Sequence, residues 1–300
     1  MFLGHGSMRI LLTGGTGFLG RAFVRANAER FSIVTLGRSP VPGATEHIAA
    51  NLASPAENSG LLTDARLGSG FDAFVHLAVS PFHREFPDRA LDQFNVNLAA
   101  VAALLDIARN CGVRRFVLGS TGTVYHPFRD PPFREDSFCA PDSYLGFTKL
   151  AAENVSLLYA KYFDVFIPRF FTPYGPGQQD RLISSMINRI CSGEPVSLPE
   201  IGDGLVTTPV FVEDAVRALE QAVAHGWSGL MNIGGPERLS LAEMATMIGE
   251  VVGRPPAFVR ASNASGARLI PDLGRLHAHL APDSFVSFKE GIRRTLVNSC

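Results

Sequence analysis

The chain has 300 residues, 46% of them hydrophobic and 18% charged, and a formal net charge of -1. That length buries a large core as one α/β domain or two lobes, and the near-neutral balance without a Lys/Arg run argues against a nucleic-acid or anionic-membrane surface. No apolar stretch approaches the roughly 20 residues of a membrane span. The four cysteines (Cys111, Cys139, Cys191, Cys300) show no paired spacing, so reduced thiols, a cytoplasmic location and no metal site are expected. Residues 1–7 are too short and Gly-rich for a signal peptide, and Met8 is a second candidate start.

In chain order, residues 8–12 form a short apolar run leading into Thr13-Gly14-Gly15-Thr16-Gly17-Phe18-Leu19-Gly20. A helical pattern follows to about residue 30, and a second apolar run covers 32–36. Strand, glycine turn, helix and strand make the βαβ unit of a parallel sheet. The alternation continues with a buried strand over 71–79, a helix over 94–110, a strand over 115–119, a helix over 143–162 and a strand over 165–171. After Pro173 proline and glycine become denser and helices alternate with short turns. Residues 209–211 as a strand and 212–224 as a helix are expected to return to the first lobe.

The predicted fold is therefore α/β, a doubly wound parallel-sheet Rossmann fold with a smaller C-terminal substrate lobe. The dinucleotide-binding domain would take residues 1–171 and about 207–230, and the substrate lobe 172–206 and 231–300. Gly14, Gly17 and Gly20 follow a strand and open a helix, the context in which this spacing cradles a pyrophosphate on backbone N–H groups. At the end of the second strand stands Gly37-Arg38-Ser39, where an acid would hold a ribose 2′-hydroxyl. An arginine there pairs with a 2′-phosphate, so NADP is favoured over NAD.

These signals resemble the extended short-chain dehydrogenase/reductase family, the NAD(P)-dependent epimerase/dehydratase group acting mostly on nucleotide sugars. The resemblance runs from about residue 8 to 296. Beyond the glycine segment, its carriers are His76-Leu77-Ala78, Asn95-Val96-Asn97, Gly119-Ser120-Thr121-Gly122-Thr123-Val124-Tyr125, Lys149-Leu150-Ala151-Ala152-Glu153 and Pro168-Arg169-Phe170-Phe171-Thr172-Pro173-Tyr174-Gly175. It implies a cofactor site of Gly14, Thr16, Gly17, Phe18, Leu19, Gly20, Arg38, Asn51, Leu52, Leu77, Ala78, Asn95, Lys149 and Phe171. Asn51 replaces the usual Asp near the adenine. It implies catalytic Thr121, which bonds the reacting oxygen, Tyr144, which transfers the proton, and Lys149, which holds the nicotinamide ribose and lowers the pKa of the tyrosine. Ser80, Thr123, Tyr125, Thr172, Tyr174 and Arg181 would line the substrate, a small molecule. A homodimer through a helical face is common in the family.

The pattern breaks at the tyrosine. Tyr144 lies five positions before Lys149, and the residue four before is Leu145. Successive helical residues turn by about 100°, so a spacing of four leaves two side chains about 40° apart and a spacing of five about 140° apart. Three outcomes stand open. A π-type bulge brings Tyr144 back; a cap at Asp142-Ser143 leaves it outside the helix; or the tyrosine is lost and the cofactor is bound without ordinary catalysis. A substitute acid/base such as His83, His126 or Tyr174 is the remaining alternative. The family's arginine for the diphosphate is also absent after Gly202-Asp203-Gly204, where Leu205-Val206-Thr207-Thr208 follow, leaving Arg181, Arg260 or Arg268 to compensate. Two functions result: a hydride-transferring oxidoreductase, epimerase or dehydratase, or a catalytically silent NAD(P)-binding regulator or scaffold.

Overall fold

The protein is described here by a computed structural model covering residues 7–68, 70–125, 131–262 and 266–297. Ile10, Leu11 and Leu12 of β1 (Met8–Thr13) are fully buried, as in a strand covered on both faces. α1 (Phe18–Asn27) turns Gly20, Phe23, Val24 and Asn27 inward, the i, i+3, i+4, i+7 row of an amphipathic helix. β2 (Phe31–Gly37), β3 (Glu46–Ala49) and α2 (Pro55–Leu61) follow. Then come β4 (Ala73–His76), α3 (Ala90–Phe94), a π-helical turn (Asn95–Ala99), α4 (Ala100–Asn110), β5 (Arg115–Leu118) and β6 (Ser120–Thr121). α5 (Tyr144–Leu157) and β7 (Asp164–Phe170) complete the first stretch.

The remainder has shorter strands: β8 (Pro173–Tyr174), α6 (Leu182–Ser192), β9 (Val196–Leu198), β10 (Val206–Thr207), β11 (Val210–Phe211), α7 (Val212–His225) and β12 (Gly229–Ile233) follow in order. After them come β13 (Leu239–Ser240), α8 (Leu241–Val252), β14 (Phe258–Arg260), β15 (Arg268–Leu269), α9 (Gly274–His277) and α10 (Phe288–Val297).

The main sheet has the order β12-β7-β5-β4-β1-β2-β3, with β6 pairing β7. The pairings β1–β2, β1–β4, β2–β3, β4–β5 and β5–β7 are parallel. Strand order reverses between β1 and β4, so the crevice beyond Thr13 and His76 is the topological switch point, where such sheets bind ligands. Leu11, Val34, Leu36, Phe74, Val101, Leu104, Phe116 and Ile167 belong to one core cluster beside the sheet. One described helical stretch, Ala90–Asn110, is long and apolar enough to span a membrane, and 44% of its window is buried in the protein.

The chain divides into two compact units. One comprises Met1–Val124, Cys139–Arg169 and Val216–Met231; the other comprises Tyr125–Phe138, Phe170–Ala215 and Asn232–Cys300. Two expectations are corrected. The strand that joins the main sheet late in the chain is β12, while residues 210–211 pair instead with β8 (Val210 beside Pro173). Residues 125–138 group with the second unit, because Asn232 gathers them: its side chain accepts from the Tyr125 hydroxyl at 2.9 Å and donates to the Phe133 carbonyl at 2.9 Å, and its N–H donates to Glu135 Oε1 at 2.9 Å. β3 and α2 escape periodicity because each is short; β3 buries Ile48 alone.

Candidate active site

The glycine turn leaves β1 directly into the switch point. Gly14 has φ of +75°, and a Cβ on it would stand 2.4 Å from the Ala78 nitrogen and the Leu77 carbonyl carbon, so only glycine lets the turn press against the end of β4. A Cβ on Gly20 would meet the Gly14 oxygen at 2.1 Å, which keeps α1 close to the turn. Gly17, the N-cap of α1, makes no side-chain cap hydrogen bond, and the first-turn N–H groups and helix dipole face the place a phosphate would take. Thr16 is exposed and Phe18 and Leu19 are half-buried. At the end of β2 a Cβ on Gly37 would touch nothing within 4 Å, and Arg38 is exposed. A dinucleotide's residues are thus present and spaced to receive it.

Beside the cradle, Lys149 Nζ donates to the Gly119 carbonyl at 2.9 Å and the Ala78 carbonyl at 3.5 Å. The residue is 5% exposed. Burial lowers its pKa to about 8, with the Glu153 carboxylate acting the other way. His76, fully buried at the end of β4, lies 2.6 Å (Nδ1) from the Thr13 hydroxyl, and its Nε2 has no partner. Burial first, and then the Lys149 cation, push its pKa down to about 3, so the ring is neutral. Thr121 closes β6, its hydroxyl 3.1 Å from that of Thr123 and accepting the Thr123 N–H at 3.2 Å. The first turn of α5 packs on this segment: a Cβ on Gly146 would lie 2.4 Å from the Thr123 carbonyl oxygen.

α5 begins at Tyr144, and the Ser143 hydroxyl accepts the Gly146 N–H at 3.2 Å as N-cap. The expected cap is there, but Tyr144 is helical and α5 runs without a bulge through Lys149; the π turn lies at Asn95–Ala99. Leu145 therefore shares the Lys149 face, and Tyr144 lies on the flank next to Thr148. There its ring stacks on Phe86, centroids 4.9 Å apart and planes at 24°. Thr148 is held by Asn97 Nδ2 at 3.2 Å, and Asn97 Oδ1 accepts the Ser80 N–H at 3.0 Å, which ties the loop after β4 to the same flank.

Other expected residues take different places. Asn95 Nδ2 donates to the Ala53 carbonyl at 3.1 Å; Asn51 Oδ1 accepts the Ala53 N–H at 3.2 Å, and Leu52 is buried. Ser80 is corrected from substrate lining to structure: it is fully buried and its hydroxyl donates to Asp92 at 2.5 Å. Tyr125, Phe171 and Tyr174 are likewise core residues. Tyr125 is fully buried and stacks on Phe133 and Phe171. Tyr174 lies against Phe211 and Phe288, donates to the Phe288 carbonyl at 3.2 Å, and burial pushes its phenol far up, so it moves no protons near neutrality. In the second unit, the hydroxyls of Thr172 (φ +44°) and Thr207 lie 3.1 Å apart, Arg181 stands at the N-cap of α6, and Arg260 donates to the Pro199 and Gly202 carbonyls. His83 Nδ1 lies 3.3 Å from the Ser80 carbonyl oxygen; His126 falls outside the described residues.

Sequence reasoning gave no role to Ser120, Glu153 and Arg169. The Ser120 hydroxyl and the Arg169 guanidinium both donate to Glu153 within the core. The i, i+4 spacing of Lys149 and Glu153 was the available signal. Among the described residues no cluster of three or more His, Cys, Asp or Glu could hold a metal.

A switch-point glycine cradle with a buried lysine and a strand-end threonine defines a Rossmann-fold dinucleotide-dependent enzyme class. A family model for the NAD dependent epimerase/dehydratase family matches residues 10–234. The low-salt glycan biosynthesis protein Agl12 of Haloferax volcanii is 32% identical over 259 residues, covering 82% of this chain and 83% of its own. A dTDP-4-dehydro-6-deoxy-D-allose reductase from a Streptomyces species is 29% identical, covering 82% of each chain. Among solved structures, the UDP-glucose 4-epimerase of Thermus thermophilus in complex with NAD is 25% identical with a TM-score of 0.82, covering 97% of this chain and 98% of its own. The chain belongs to the NAD-dependent epimerase/dehydratase family, the extended short-chain dehydrogenases/reductases. These are enzymes, and the family places the chain among NAD(P)-dependent sugar epimerases and dehydratases, not silent scaffolds.

Proposed function

We propose that the chain transfers hydride between a nicotinamide and a carbonyl or hydroxyl carbon of a sugar, nucleotide-linked as in its relatives, with NADP preferred. The observation that carries this is the joint placement of Lys149 and Thr121. The Lys149 ammonium is pinned to Gly119, two residues before Thr121, at the strand ends beside the cradle. The cofactor supplies the hydride acceptor or donor when bound. Gly14, Gly17 and Gly20 would bring backbone N–H groups to its pyrophosphate, and Lys149 would hold the nicotinamide ribose.

Thr121 would bind the reacting oxygen and orient its carbon. As hydride leaves that carbon, its hydroxyl proton must leave too; Tyr144, in the turn of α5 nearest Thr123, is the side chain proposed to take it. Leu145, on the Lys149 face, contributes no proton. The NADP preference rests on the open space at Gly37 and the exposed Arg38. A homodimer is proposed through the outer stripe of α5 and the residues after it, where Phe147 is 58%, Leu158 72% and Tyr162 54% exposed. A cytoplasmic location is proposed from the wide, unpaired spacing of the cysteines along the chain.

The test is a fluorescence titration of NADPH against NADH, followed by NADPH oxidation with a panel of keto-sugars and nucleotide-linked keto-sugars. Tighter NADPH binding, an Arg38→Ala loss of about tenfold for NADPH alone, and turnover with at least one compound are expected. Equal or tighter NADH binding removes the NADP preference; binding with no NADPH oxidation across the panel removes net reduction of a keto-sugar, because an epimerase or dehydratase returns its hydride to the sugar and consumes no NADPH.

A further inference from the structure

Glu153 lies one turn beyond Lys149 on α5, and its carboxylate is the meeting point of two other elements. The Ser120 hydroxyl, next to Thr121 on β6, donates to Oε1 at 2.5 Å. Arg169 on β7 donates from Nε to Oε1 at 3.1 Å and Oε2 at 3.2 Å, and from Nη2 to Oε2 at 2.6 Å. The side chains of Arg169 and Glu153 are 3% and 1% exposed. A pair buried this deeply loses its hydration, and apolar side chains of similar volume often serve stability as well or better. Its placement, however, is specific: it joins the helix of Lys149 to the strand of Thr121, and it sits behind the catalytic residues.

We propose that Glu153 is a positioning residue of the active site, gripping Ser120 and Arg169 so that the strand end carrying Thr121 is fixed against the helix carrying Lys149. The inference rests on the roles given above to Lys149 and Thr121. It has an electrostatic consequence as well. Lys149 is surrounded by the carbonyls of Ala78 and Gly119, the neutral His76 of β4, and Glu153 of its own helix, whose carboxylate is held by Arg169 of β7. Burial favours the neutral amine, and Glu153 is the charge that opposes it. Without the carboxylate, Lys149 loses its proton at a lower pH than about 8.

The experiment measures NADPH binding to the full chain by fluorescence from about pH 6 to 10, spanning the lysine's range. The variants are Glu153→Gln, the paired replacement Glu153→Met with Arg169→Met, and Ser120→Ala. The pair removes both charges, so a folded protein without the carboxylate remains available if Glu153→Gln leaves Arg169 stranded and fails to fold. In the wild type, affinity is expected to fall as pH rises through about 8. In both Glu153 variants that fall moves to lower pH. Ser120→Ala keeps the charge but loosens the strand, so it weakens binding about three- to tenfold, one hydrogen bond's worth, without moving the fall. If the paired variant binds NADPH with the wild-type pH dependence, or Ser120→Ala with wild-type affinity, the positioning role is overturned. If the wild type binds neither NADPH nor NADH, the cofactor reading itself fails, and the proposal with it.

Discussion

Leu145 lies about 40° from Lys149 around α5 and Tyr144 about 140°, and both are half-buried. The difference is chemical as well as angular, since leucine carries no exchangeable proton and tyrosine needs a nearby cation to ionise near neutrality. Exchanging the two, Leu145→Tyr with Tyr144→Leu, places the phenol on the lysine's face. NADPH-dependent turnover is expected to rise by about 10²-fold, and Tyr144→Phe alone to lower it by a similar factor. A Tyr144→Phe variant with unchanged turnover would remove Tyr144 from the mechanism. His76 makes a different prediction. Its folded pKa is depressed from 6.5 to about 3, so the unfolded chain binds the extra proton as pH falls through that interval. Stability is therefore lost between pH 6.5 and about 3. His76→Gln should flatten this part of the denaturant-measured stability curve; an unchanged slope would mean that the ring is not held neutral.

At the scale of elements, α5 is the one on which the site depends. Its cap is Ser143, its first turn packs on the Thr123 carbonyl, its middle carries Lys149, and its next turn carries Glu153. Because a Cβ on Gly146 would stand 2.4 Å from the Thr123 oxygen and 2.7 Å from the Pro141 side chain, Gly146→Ala must push the helix off the Thr121–Thr123 segment. A loss of about 1–3 kcal/mol, of the size overpacking costs, is expected by urea denaturation. The same substitution at Gly37, where nothing lies within 4 Å, should leave stability nearly unchanged and serves as the control. The π-helical turn has a comparable local role. It precedes α4 and carries Asn95 and Asn97, whose side chains reach Ala53, Ser80 and Thr148. A helix pattern over 94–110 is visible in the sequence; the extra residue in one turn is not, because periodicity averages over it.

For the whole molecule, the two units differ in how they are made. The first is a parallel sheet whose central strands are buried apolar runs, and the second carries strands of only two and three residues. The cradle, Lys149 and Thr121 all lie in the first unit. A ligand that binds only the native state stabilises it by mass action, so NADPH at about 100 times its Kd should add about 2.7 kcal/mol. The expected readout is a higher Tm in thermal unfolding, confined to the transition of the first unit if the units unfold separately. No shift at saturating NADPH and NADH would exclude binding at the cradle.

The sequence by itself determined the βαβ start, the glycine cradle, the order of the parallel strands' apolar runs and the one-residue offset of Tyr144. These are local patterns, set by side-chain periods and backbone freedom within about 30 residues. What only the tertiary structure decided depends on partners far along the chain. Tyr125 is a core residue because Asn232, 107 positions away, accepts its hydroxyl. Tyr174 is one because Phe288, 114 positions away, covers it. Glu153 acquired a role only when Ser120 and Arg169 closed around it. Burial and hydrogen-bond partnership are properties of the folded surroundings, which no spacing along the chain encodes.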